Sequence, residues 1–280
     1  MKFLISLLRS AFGGWVDNNA ASLSAALAFY TIFSLVPLLI VIIAIAGFAF
    51  NRSGAEQQVF TEIGGLVGRQ SADFVRDLSQ PGGPKDSNLL AIIIGAVTLL
   101  FGASGVFGHI QYSLDIIWKT PERRKRGWLR ALRNKLLSFA AVVIIGFLLL
   151  LSLLASALFG SLGQYIPIEP KLLLQLLNIV FSFVGAGLLF LLMYRFLPNA
   201  RVSWYDSLVG ALFTAILFII GRLLIGLFLG SGAIATAYGP AASLVLLLLW
   251  IYYSAQIFYF GAEFTHAYVK RPGNILTHLT

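Results

Sequence analysis

The sequence predicts an all-α, polytopic membrane protein with six transmembrane helices, and three observations carry that prediction. Hydrophobic residues make up 59% of the chain and charged residues only 11%, less than half the charge of an ordinary soluble domain. The apolar residues come in runs longer than a buried soluble helix needs, at about 20–50, 88–118, 136–160, 172–197, 204–230 and 241–268. These runs end at glycine, proline or charge and show no strand-like alternation. The whole chain, 1–280, reads as a single integral membrane domain.

Orientation follows from the basic residues. Fourteen of the twenty Lys and Arg fall on one side of the predicted spans and five on the other, with Arg222 inside a span. Such an excess marks the cytoplasmic side, so both termini are expected there. An even number of spans agrees with that.

Taken in chain order, Phe3–Leu8 is too short for the apolar core of a signal peptide, and no small-residue cleavage site follows. Residues 2–15 are instead expected to form a short amphipathic helix, with Phe3, Leu4, Leu7, Leu8 and Trp15 in the headgroup region. Span one carries Tyr30 and Ser34 one turn apart, then Pro37, whose missing N–H frees a carbonyl upstream. That carbonyl either lines a pathway or marks a packing kink. In the outer loop, 51–87, Val59, Phe60, Ile63, Leu66 and Val67 recur at helical spacing among charges of both signs. Short amphipathic helices over the outer mouth are expected there, as a lid or as a passive cap.

The loop 119–135 is cytoplasmic and holds eight basic residues. Thr120 with Pro121 reads as the start of a helix there. Arg123, Arg124, Lys125, Arg126 and Arg130, with Trp128 among them, are expected to contact anionic lipid headgroups. One aromatic residue in a basic loop, with no binding fold around it, argues against nucleic acid. In span four, Gln175 and Asn178 precede Gly185 and Gly187, a pattern of interhelical hydrogen bonds and close contacts. Tyr238 and Gly239 open an uncharged outer turn before span six, with Tyr238 as a gate or part of the interfacial aromatic belt. The chain has no cysteine, which excludes disulfides, thiolate metal sites and cysteine nucleophiles. No metal site or cofactor is expected.

The candidate site is a polar stripe on span six: Tyr252, Gln256, Tyr259, Glu263 and His266. The spacing of four, three, four, three puts all five on one helix face. Hydrocarbon cannot hydrogen-bond them, so they need a partner helix, a cavity or the interface. At ~1.5 Å per residue, Glu263 and His266 fall near the cytoplasmic interface, level with Asp115, Arg195 and Asp206. Arg222 lies about 27 Å along span five, in the outer half, too far outward to pair with Glu263. By depth alone, Asp115 and Arg195 are the expected charged companions of Glu263.

Four segments together resemble the YihY/BrkB-type family of bacterial inner-membrane proteins. They are ALAFYTIFSLVPLL in span one, LDIIW at Leu114–Trp118, YGPAAS at 238–243 and LLLWIYYSAQIFYFGAEFTHAY at 247–268. The similarity runs in order over nearly the whole chain. It implies a six-helix protein of the bacterial inner membrane, in a family often described as transporters and tied in part to virulence. By position, Ser34, Pro37, Asp115, Tyr238, Gly239, Gly261, Ala262 and Glu263 are the family-motif residues. Some relatives carry the label ribonuclease BN. The scattered histidines here do not support it, because such chemistry needs clustered acids for metal or a histidine pair facing water.

Three function classes remain on these residues. The leading one is a transporter or exporter of a small or amphipathic, lipid-like solute, with Glu263 as gate or ion-coupling group. A membrane scaffold or assembly factor, using the basic loop and outer helices for docking, is the second. The third is an intramembrane lipid-modifying enzyme, for which Asp115, Glu263 and His266 match no metal motif. Three-plus-three spans would permit an inverted repeat, but the two halves show no convincing similarity. An oligomer is compatible with all three classes.

Overall fold

The break between the first two helices is written in Asp17-Asn18-Asn19. Asn19 takes a positive φ of 50°, a left-handed conformation that asparagine tolerates better than most residues. The amides of Ser22 and Leu23 then bond to the Asn19 carbonyl and start the next helix. In the computed structural model, which describes residues 2–49, 57, 60–61, 64, 72–76, 105–120, 171–200, 202–230 and 237–271, α1 is Lys2–Asp17 and α2 is Ala20–Ala49. Helix α3 covers 105–117, α4 is Lys171–Phe196 and α5 is Trp204–Gly230. A 3₁₀ turn, Gly239–Ala241, leads into α6, Ala242–Val269.

No strand occurs among the described residues. Trp204–Leu227 and Ala242–Val269 are long and apolar enough to cross a membrane, and Ala20–Leu35 and Phe183–Phe196 are shorter apolar stretches. The expected third span, 136–160, lies outside the described residues, as does the basic loop with Arg123, Arg124, Lys125, Arg126, Trp128 and Arg130.

Helix ends are set by local chemistry. At the end of α3, Lys119 is left-handed, with φ 49°. Its amide bonds to the Ile116 carbonyl, and that of Thr120 to the Asp115 carbonyl. This pair of bonds closes the last turn and satisfies carbonyls the helix leaves free. Thr120 is therefore the exit from α3. At the start of α5, the Ser203 hydroxyl accepts the Asp206 amide at 3.2 Å, an N-cap.

The helices meet in two main clusters. One joins α3, α4, α5 and α6 through Leu114, Ile117, Tyr194, Ala211, Ala215, Phe258 and Ala262. The other packs Phe60 and Val75, from the expected outer amphipathic segment, against Ala28 of α2 and Leu247 and Ile251 of α6. The opposite side of α5 exposes Leu208, Leu212, Ile216, Ile220, Leu224 and Leu227. Their spacing, mostly four residues, makes a face suited to lipid.

Helices α5 and α6 interlock through a repeat. Gly210-Ala211-Leu212-Phe213-Thr214 on α5 matches Gly261-Ala262-Glu263-Phe264-Thr265 on α6 at four of five positions. A β-carbon at Gly210 would stand 2.9 Å from the β-carbon of Thr265, and one at Gly261 would stand 2.9 Å from that of Thr214. Each threonine donates to the carbonyl of the glycine in its own motif, Thr214 to Gly210 and Thr265 to Gly261, both at 2.7 Å. The two phenylalanines stack on each other, centroids 3.8 Å apart and 14° from parallel. Both alanines are fully buried. The antiparallel pair thus has a local two-fold. Lipid tails are as apolar as leucine, so close packing of small residues is what holds such helices together in a bilayer.

Tyr194 of α4 docks on this pair. Its hydroxyl donates to the Phe258 carbonyl at 2.7 Å and lies 3.0 Å from the Thr214 hydroxyl.

Candidate functional site

The C-terminal half of α6 is buried without interruption from Gly261 to His266. Glu263 is 2% exposed and His266 8%. Two features of α1 explain how a carboxylate fits there. Gly14 carries no side chain, and a β-carbon at that position would collide with the Glu263 carboxylate. One turn on, Asn18 donates its side-chain amide to Glu263 Oε1 at 2.6 Å. Leu7 and Ala11 seat the rest of α1 on Phe264.

On its other flank α6 meets α3. The Trp118 ring lies 5.2 Å from that of His266, and the buried Tyr259 hydroxyl comes close to Ser113. Ser113 donates to the His109 carbonyl at 2.9 Å. His109 Nε2 lies 2.9 Å from the Leu23 carbonyl. A carbonyl only accepts, so this nitrogen carries the proton. Three lower members of the stripe, Tyr259, Glu263 and His266, are therefore packed against α1 and α3. Tyr252 and Gln256 are half-buried, with Tyr252 beside the Leu247 and Ile251 cluster.

The expected companions of Glu263 are engaged elsewhere. Asp115 takes the Asn199 amide at 2.8 Å on Oδ1 and the Asn199 side-chain amide at 2.5 Å on Oδ2, gripping the turn between α4 and α5. Arg195 donates to the Val202 carbonyl in that same turn, and its guanidinium lies 5.3 Å from the centroid of the Trp204 ring. The depth argument concerned position along the helices and carried nothing about position around the bundle. The partner of Glu263 is Asn18, in the turn that follows a helix expected to do no more than lie in the interface.

Arg222 is exposed on α5, and Gly221 before it packs on Tyr253 and Ile257. That register puts Arg222 roughly 15 Å along the pair from Glu263. Tyr30 is exposed and its ring lies 5.5 Å from that of His109. Ser34 is buried but donates to the Thr31 carbonyl of its own helix at 3.0 Å. Pro37 lies within α2, which remains helical on both sides of it. Tyr238 is exposed. Gly239 has φ 51° and opens the turn into α6, a conformation that favours glycine. No group of three His, Asp or Glu is brought together among the described residues.

A family model described as "Virulence factor BrkB" matches residues 11–275. The chain belongs to the BrkB family. Among its relatives, a UPF0761 membrane protein of Pseudoalteromonas translucida is 29% identical over 275 residues, 93% of this chain and 87% of the relative. One from Rhodospirillum centenum is 27% identical over 271 residues, and there the BrkB-family chain spans 57% of the relative's length. A third, from Alteromonas mediterranea, is 29% identical over 272 residues, 92% of this chain and 87% of the relative. No solved structure matches the chain. The relatives' names agree with the apolar helices in making this a membrane protein.

Proposed function

We propose that this protein is a transporter or exporter of a small or amphipathic, lipid-like solute in the bacterial inner membrane. In this arrangement six spans place both termini in the cytoplasm, the 119–135 loop rests on anionic headgroups, and Glu263 gates the cytoplasmic end of the path. The observation that carries the reading is a carboxylate 2% exposed within an apolar span, held by a neutral amide. An ionisable group so placed is costly, and such residues in membrane helices serve substrate or ion paths. The packed state of Tyr259, Glu263 and His266 corresponds to a closed cytoplasmic gate.

Glu263→Gln tests the gate, because glutamine keeps the shape and an acceptor for Asn18 but cannot titrate. The neutral bond it leaves to Asn18 is weaker and would favour opening, so a loss of flux reports the missing titratable group and not the Asn18 contact. The measurement is flux in proteoliposomes, with a panel of amphipathic dyes and a fluorescent lipid, across a range of pH. Loss of flux with a flattened pH profile is the expected result. A variant equal to the wild type in rate and profile would remove Glu263 from the mechanism.

A further inference from the structure

We propose that α5 and α6 form one rigid, two-fold unit, and that α1 is a membrane-seated lid, hinged at Asn19, that swings off this unit to uncover Glu263. The fixed part is shown by the repeat. Two glycines each receive the other motif's threonine, and the phenylalanines stack between them. Separating or sliding these helices would have to undo both notches and the stack together, because packed interfaces of this kind are not continuously deformable.

The contact of α1 with α6 is of another kind. It consists of Leu7 and Ala11 on Phe264, the passage of Gly14 over the carboxylate and the bond from Asn18. The chain runs from α1 to α2 through Asn18 and Asn19, and the left-handed Asn19 is the point where the two helix axes part. The far side of α1 exposes Phe3, Leu4, Ile5, Phe12 and Val16, with Arg9 also exposed. Apolar residues edged by a cation fit a bilayer interface. That face can stay in lipid whichever way α1 lies, so opening costs the contact of Leu7 and Ala11 with the Phe264 cluster, the Asn18 bond and the packing of Trp15 on the core. Within the repeat, Glu263 is the single departure: its two-fold counterpart is Leu212, which is 40% exposed while Glu263 is covered by α1. The lid therefore covers the one polar position that the symmetry does not explain.

What the lid uncovers rests on the gating reading, whereas its motion against a fixed pair does not. The chain has no cysteine, so engineered cysteines carry spin labels at chosen places only. Arg9→Cys with Leu208→Cys spans lid and frame, and Leu212→Cys with Leu249→Cys lies within the frame; all four positions are exposed. Distances are read by double electron–electron resonance in lipid nanodiscs. The frame pair should give one narrow distribution. With a lever of about 15 Å from Asn19 to Arg9, the lid pair should give a second population displaced by about 10 Å. Asn18→Ala should shift weight toward that second population. A single narrow lid distance unmoved by Asn18→Ala, or a frame pair as broad as the lid pair, would overturn the proposal. Two lid populations combined with normal flux in Glu263→Gln would remove the gate and leave the lid standing.

Discussion

Gly261→Leu is expected to destabilise the protein by about 3 kcal/mol or more, the upper end of what overpacking costs. The first atom of the new side chain would stand 2.6 Å from the Tyr194 hydroxyl and 2.9 Å from the Thr214 β-carbon. Thr214 sits in a helix and Tyr194 is fully buried, so neither can step aside without moving a helix. The same reasoning applies across the two-fold at Gly210, where the obstacle is Thr265. Thermal unfolding in detergent or nanodiscs, followed by near-ultraviolet signal or size exclusion, reads the loss. Gly226→Ala is the control: nothing lies within 4 Å of its would-be β-carbon, and alanine is the better helix former by about 1 kcal/mol. It should leave stability unchanged or slightly raised. Gly261→Ala combined with Thr214→Ala removes the Thr214 hydroxyl from the notch and should recover part of the loss. A coupling of roughly 0.5–3 kcal/mol is expected for residues in contact. Strictly additive losses would mean the notch is not where the strain falls.

The helix positions were legible because a span announces itself by length and composition alone. Spans four, five and six were expected at 172–197, 204–230 and 241–268, and the helices run Lys171–Phe196, Trp204–Gly230 and Ala242–Val269. Rise per residue is fixed, and the α5–α6 register keeps Arg222 and Glu263 apart along the pair. Rotation about the bundle axis was not legible. Asp115 and Arg195 were expected level with Glu263, yet they bond to Asn199 and Val202. Residue counting carries no information about which neighbour a helix presents at that level. The role of α1 escaped for a related reason. Its aromatic and aliphatic residues drew it to the interface, while Ala11 and Gly14, spaced for close approach to another helix, carried the contact with α6. The five-residue repeat was visible in the letters, but it joins two helices of the same half, and its one mismatch replaces leucine with the glutamate that matters most.

Asp115→Ala should cost about 2–3 kcal/mol, because both hydrogen bonds it accepts go to one residue and each is charge-assisted. The carboxylate binds the α4–α5 turn to the last turn of α3, so the loss should fall on that junction. Hydrogen exchange should show faster opening of the backbone around 197–203, with the α5–α6 interlock unaffected. Asp115→Asn is the sharper probe. The amide can still accept the Asn199 backbone N–H on its oxygen, but its nitrogen then faces the side-chain nitrogen of Asn199, donor against donor. Adding Asn199→Asp reverses the side-chain pair, so that the new amide donates to the new carboxylate, and stability should return to near that of the wild type. A companion of Glu263 would behave differently: swapping the two groups would move the charge away from α6, and flux would stay impaired despite restored stability. Recovery of both together would assign Asp115 to the clamp alone, leaving Glu263 and Asn18, over the space that Gly14 leaves, as the polar contact between α6 and the end of α1.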